Sequence, residues 1–221
     1  MRLTLRLSPN TRHVPFDHLH QLIGRIHAWL GRNELHDGTS LYSFSWLSGA
    51  KPQKDGLMFP GGAEWSVGFF DIDAAKRLLE GVRSDPEVAY GMRVYEVQVQ
   101  APPPASARAS FLVSGPVVLR AKREDGSDEY ILWDDDRADD ALTRIFRWKM
   151  SLAGMAGEHL ASTMRFDRTY LRPRSKLVTI KDIKHRGSEC PVIVEGTPEA
   201  LRFAWLVGAG ELTGSGCGGL R

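Results

Sequence analysis

Three consecutive prolines, inside "APPPASA" at residues 101–107, divide this chain. A proline carries no backbone N–H and locks φ near −65°, so such a run continues neither a helix nor a strand. It reads as a stiff linker. In a chain of 221 residues it lies near the middle. The expected organisation is a first domain over 1–100, a linker over 101–107 and a second domain over 108–221.

The first half orders its elements plainly. In "RLTLRLS" Leu3, Leu5 and Leu7 alternate with polar residues, which predicts a strand. Phe16, Leu19, Leu22, Ile23, Ile26, Trp29 and Leu30 then form an apolar stripe at helical spacing, predicting a helix from about Phe16 to Gly31. Two β-prone runs follow, "LYSFSWLSG" and "GGAEWSVGFFD", with the turn-rich "AKPQKDG" between them. Asp71 is a plausible cap for a second helix carrying Ile72, Ala75, Leu78, Leu79 and Val82, and "MRVYEVQVQ" closes the set. The order βαββαβ is the ferredoxin-like pattern.

Beyond the prolines the order repeats with extra β material. "ASFLVSGPVVLRAKRED" and "EYILWDDD" read as strands. A helix is expected from about Asp139 to Ala153 with Leu142, Ile145, Trp148 and Leu152 inward. "KLVTIKDIKHRG" and "CPVIVEG" follow. "TPEALRFAWLV" predicts a last helix capped by Thr197 with Pro198 in its first turn. The fold class expected is α+β, two tandem ferredoxin-like (βαββαβ) domains ending in a glycine-rich loop, with a short final strand in or after the glycines.

Composition removes several function classes. No run of about 18 apolar residues exists, which argues against a membrane span. The start "MRLTLRLSPN" lacks the apolar stretch of a secretion signal. The two cysteines, Cys190 and Cys217, show no CxxC spacing, so neither a zinc site nor a disulfide framework is expected, and a cytoplasmic location is. No His, Cys, Asp and Glu cluster has ligand spacing. "WDDDRADD" reads as the acidic start of a helix, and a metal site is not expected.

The charge is unevenly spread. Residues 165–186 hold eight Lys or Arg against Asp167 and Asp182, a net +6, which leaves −4 for the rest of a chain whose total is +2. That segment is either a footprint for a polyanion or a solvated hairpin. Arg165, Arg168, Tyr170, Arg172, Arg174 and Lys176 interleave cations with an aromatic, a composition suited to phosphates and unpaired bases. If the segment is a strand, Arg168, Tyr170 and Arg172 share one face.

The C-terminal "GAGELTGSGCGG" (208–219) follows the last helix. It is no dinucleotide fingerprint, because no strand–turn–helix unit and no later acid follow it. It also lacks the GK[ST] of a P-loop. A loose tail remains open, as does a structured loop in which Gly208, Gly210, Gly214, Gly216 and Gly218 let backbone N–H groups cradle a phosphate.

A helix running into "VGAGELTGSGCGGL" resembles the glycine-rich signature of the RAMP superfamily of CRISPR proteins, most closely the endoribonucleases that process precursor CRISPR RNA. The helix followed by "GRNELHDG", a histidine and then the strand "LYSFSWLSG" is similar to that family as well. The resemblance implies metal-independent cleavage of repeat RNA by its own 2′-OH, leaving 2′,3′-cyclic phosphate and 5′-OH ends, with no cofactor. It also implies repeat RNA as partner, both precursor and mature guide, with an effector complex or a homodimer as further assemblies.

Imidazole suits that reaction because its pKa lies near working pH. His36, in the polar loop with Asp37 beside it, is the first catalytic candidate. His20 is the second: it lies with His27 on one border of the first helix's apolar arc, and some family members draw a second group from this helix. Tyr42 could donate to the phosphate or seat the 2′-OH, though a buried strand aromatic is the plainer reading. Lys51 and Lys54 could stabilise developing charge. Two other functions compete. One is a RAMP subunit that binds CRISPR RNA in an effector complex without cutting. The other is a ferredoxin-like RNA-binding regulator, for which the expected aromatic sheet motif is lacking.

Overall fold

The computed structural model describes residues 1–31 and 39–221. His36 and Asp37 lie outside the described residues. In the first half β1 (Arg2–Leu7), β2 (Tyr42–Phe44), β5 (Ala63–Phe69) and β6 (Val94–Val99) form one antiparallel sheet in the order β2-β5-β1-β6. Helices α1 (Leu19–Leu30) and α2 (Ile72–Ser84) link them in ferredoxin-like fashion. Leu3, Leu5 and Leu7 are buried, as their alternation predicts. Asp71 caps α2 by accepting from the N–H groups of Asp73 and Ala74 at 2.8 and 3.3 Å. The "AKPQKDG" stretch is more ordered than a turn: it forms a hairpin, β3 (Lys51–Gln53) with β4 (Gly56–Met58).

Helix α1 starts three residues later than its apolar spacing predicts. His18 Nδ1 donates to the Pro15 carbonyl at 2.9 Å, which holds 16–18 as a turn and leaves Phe16 60% exposed.

The second half repeats the plan around β7 (Arg108–Phe111), α3 (Ala138–Leu152), β10 (Thr163–Phe166), β13 (Val192–Glu195) and α4 (Pro198–Val207). Its sheet runs β10-β13-β7, antiparallel throughout. The expected final strand is reduced to one bridge, Val113 with Leu220, flanked by paired bonds between Leu112 and Arg221 at 3.0 and 2.9 Å. Two hairpins are added, β8 (Arg120–Lys122) with β9 (Asp128–Tyr130), and β11 (Arg174–Ile180) with β12 (Ile183–Glu189). Thr197 caps α4 through Ala200 N–H at 3.2 Å, with Pro198 in the first turn.

Helix α3 is turned relative to expectation. Leu142, Phe146 and Met150 are buried, and so is Lys149, whereas Trp148 and Leu152 are about half exposed. Residues 167–173 form a turn and irregular chain, not a strand. Pro173 and the Asp167 side chain, which accepts from Thr169 N–H and Oγ1, account for this. The shared face of Arg168, Tyr170 and Arg172 therefore does not exist.

Each half has its own core, and the first includes Val118, Val178, Ile180 and Cys217 from the second half. The long hairpin and the glycine segment thus pack against the N-terminal sheet and its helix.

Candidate functional site

The glycine segment is ordered and threaded between the halves. Gly208, which ends α4, has φ +77, and a side chain there would press on the carbonyl of Gly218 at 2.6 Å. At Gly214 a Cβ would meet the Tyr42 hydroxyl at 2.8 Å. Most N–H groups of the segment are spent on its own geometry. Ala209 donates to Gly218, Glu211 to Val118, Gly216 to Thr213, Cys217 to Leu212 and Gly218 to Pro116. Residues Thr213–Ser215 form a single 3-10 turn, and among the described residues the N–H groups of Thr213 and Gly214 have no acceptor. Gly208, Gly210, Gly214, Gly216 and Gly218 are all buried. Gly214 alone of the five lines a cleft.

That cleft, about 850 Å³, lies between the halves. Helix α1 contributes His20, Gly24 and His27, the chain after residue 38 contributes Thr39, Ser40 and Tyr42, and α3 contributes Trp148 and Lys149. Arg120, Lys181 and residues 211–215 line it as well.

Tyr42 is 2% exposed and stacks on Phe69 with ring centroids 5.4 Å apart. Its hydroxyl donates to the Gly214 carbonyl at 3.2 Å and lies 3.4 Å from His27 Nε2. Burial pushes its pKa up to about 12, so it stays protonated at neutral pH. His20 is exposed. Its Nδ1 donates to the Asp17 carbonyl at 2.8 Å, which makes Nε2, 2.9 Å from Gln21 Nε2, the acceptor nitrogen. His20 and His27, on one border of the helix, both line the cleft, with His27 the one beside Tyr42.

Sequence reasoning missed Lys149. It is 3% exposed, and its ammonium donates to Thr213 Oγ1 at 3.0 Å. Burial pulls its pKa down to about 7, opposed by the Glu211 carboxylate. The signal was present, since Lys149 stands seven residues after Leu142 on the same stripe, but a lysine is normally read as exposed. Glu211 is held by Arg120, whose Nε and Nη2 reach its Oε2 at 2.7 and 2.6 Å. Arg120 also pairs with Asp128 at 3.2 Å.

The basic segment divides. Arg165 pairs with Glu195 at 3.8 Å and Arg168 with Asp139 at 3.4 Å. Glu189 takes Arg174 and, at 3.1 Å, Lys176, whose ammonium also sits 4.1 Å above the Trp46 ring. Arg172, Lys181, Lys184 and Arg186 are exposed and have no carboxylate within 4.0 Å among the described residues. Tyr170, Arg172 and Arg174 line a second groove, about 1260 Å³, with Arg2, Trp46, Trp205 and Arg221. Arg165, Arg168 and Lys176 line neither groove, nor do Lys51 and Lys54 on the β3–β4 hairpin. Hairpin β11–β12 joins the two openings, with Arg174 at one end and Lys181 at its tip.

Among the described residues, no three of His, Cys, Asp and Glu converge as metal ligands, and no helix is long and apolar enough to cross a membrane. A comparison with curated proteins finds no match. Solved structures share the fold along the whole chain. One is a Cas6-related protein of Pyrococcus furiosus, at 19% identity and TM-score 0.87, matched over 100% of this chain and 97% of that one. A RAMP protein binding different RNA substrates is also 19% identical, with TM-score 0.87 and coverage of 100% and 98%. A Cas6 product complex is 15% identical, with TM-score 0.68 and the same coverage. The family described as CRISPR associated protein Cas6, C-terminal, matches residues 100–221, more than half of the chain. The chain belongs to the Cas6 family of CRISPR-associated proteins.

Proposed function

We propose that this protein is a metal-independent endoribonuclease that cuts CRISPR repeat RNA in the cleft between its halves. The observation that carries the reading is the meeting, in one cleft, of two α1 histidines, a protonated tyrosine and a turn with unused N–H donors. The ribose 2′-OH attacks the adjacent phosphorus, a 2′-O–P bond forms and the P–O5′ bond breaks. The 2′-OH proton passes to one imidazole, and another imidazolium gives its proton to the leaving 5′-oxygen. His36 is the first of these groups, on family resemblance. The chain re-enters the described structure at Thr39, which lines the cleft. His20 is the second, with Nε2 as its basic nitrogen. Tyr42 donates to the phosphate or seats the 2′-OH. The N–H groups of Thr213 and Gly214, with Lys181 and Arg120, face the charge that builds on the phosphorane oxygens. Tyr170, Arg172 and Arg174 hold flanking RNA in the second groove.

The test uses the host's repeat RNA and the same RNA with one 2′-deoxy nucleotide at the scissile position. The all-ribose RNA is expected to be cut once, leaving a 2′,3′-cyclic phosphate, and the deoxy RNA to bind uncut. Binding of both RNAs without cleavage of either would instead assign the chain a non-catalytic RNA-binding role.

A further inference from the structure

Among the ionisable groups of the cleft that the proposed reaction does not use, Lys149 is the buried one. It reaches the cleft from the core side of α3, between Phe146 and Met150, both buried. An ammonium carries three donors. Among the described residues one acceptor meets it, the hydroxyl of Thr213, itself fully buried. No carboxylate lies within 4.0 Å of Lys149 among the described residues. The groups that line the cleft around it are His20 and His27 from α1, Tyr42 from β2, Arg120 from β8, Lys181 from the β11–β12 turn and Glu211 from the glycine segment. Glu211 is the one carboxylate of that set, and Arg120 already holds it. A cation enclosed in this way is costly unless an anion joins it. Losing the proton relieves the cost while keeping one N–H for Thr213, in line with the lowered pKa.

Thr213 is also the first residue of the 3-10 turn, in which its own N–H and that of Gly214 have no acceptor among the described residues. The amine of Lys149 and those donors thus meet at the same residue. On the reading of the cleft as an RNA site, we infer that Lys149 is a positioning residue that stands uncharged behind Thr213 and takes up a proton when a phosphodiester enters. The phosphate supplies the missing counter-charge. The resulting ammonium then fixes the Thr213 side chain, and with it the turn that meets the phosphate. RNA binding is therefore coupled to proton uptake through a lysine that does not touch the reacting atoms.

Calorimetry tests this with the uncleavable 2′-deoxy repeat RNA at about pH 8, in two buffers of different ionisation enthalpy. Ordinary histidines, with pKa near 6.5, are already neutral there. Wild type is expected to take up close to one proton per RNA bound. Lys149→Met should lose that uptake and bind several-fold more weakly. Lys149→Arg, charged at every working pH, should also lose the uptake. Equal uptake in wild type and Lys149→Met, or none in wild type, overturns the inference while leaving the RNA site intact. If wild type does not bind the RNA at all, the reading of the cleft falls and this inference falls with it. Should the Met variant fail to fold, NMR of wild type with 13C-labelled lysine ε-carbons decides. One lysine titrating near pH 7 in the free protein and well above it in the complex supports the inference. All lysines titrating near 10 in both states overturns it.

Discussion

Burying Lys149 ties the stability of the free protein to pH. In the unfolded chain a lysine titrates near 10.5, whereas in the fold this one is pulled down to about 7. Between those values the unfolded chain binds the extra proton, so stability rises with pH. Below about pH 7 both states are charged, and the penalty is full and constant. The contribution of Lys149 to the slope between pH 7 and 10 approaches about 1.4 kcal/mol per pH unit, and that contribution should vanish in Lys149→Met. Urea unfolding of both proteins at pH 7, 8 and 9 reads this directly. At this scale the sequence is legible where chemistry and position agree. His20 and His27 could be placed on a helix border and do line the cleft. Lys149 could not be found because residue type argued for solvent while helical position argued for the core, and packing decided for position.

A glycine segment reads from sequence as either tail or cradle, and in the structure most of its glycines serve close packing. Gly214 illustrates the cost of a side chain. Its Cβ would meet Tyr42, which is fixed by stacking on Phe69 and by its bond to the Gly214 carbonyl. Gly214→Ala is expected to lower stability by about 1–3 kcal/mol and to weaken RNA binding as the turn shifts, measurable by urea unfolding and filter binding. Hairpin β11–β12 is legible as basic but not as a charge inventory, because pairing depends on neighbours distant in sequence. Glu189 neutralises Arg174, while Lys181 and Lys184 are exposed with no acid paired to them among the described residues. If these lysines contact phosphates, Lys181→Ala with Lys184→Ala should reduce the slope of log affinity against log salt by about 1.4, at roughly 0.7 per contact on single strands. Arg174→Ala should change it less. Whether 167–173 is strand or turn was left open by the sequence, because alternation of cations and aromatics mimics a strand even where Pro173 and Asp167 bend the chain.

At the scale of the molecule the two ferredoxin-like halves are fastened by donors from the first to carbonyls of the second. Ser43 Oγ reaches Leu206 at 2.8 Å, Trp46 Nε1 reaches Gly216 at 2.7 Å, Tyr42 reaches Gly214, and Arg2 Nη1 reaches Trp205 at 3.2 Å. The repeated order of strands and helices was legible because each element carries its own periodicity. The fastening was not, because it depends on backbone carbonyls that no residue type announces. It brings α1 of one half against the glycine turn of the other, and so makes the cleft on which the proposed function rests. The measurement that tests that function most directly is cleavage of end-labelled repeat RNA in excess EDTA, wild type beside His36→Ala, with RNA binding followed in parallel. The account predicts a single cut by wild type without metal, and a variant that binds the RNA but cuts it at least 100-fold more slowly, the lower end of what one general acid–base group contributes. Wild type that binds the repeat and leaves it whole, or cuts only when a divalent metal is restored, would contradict it.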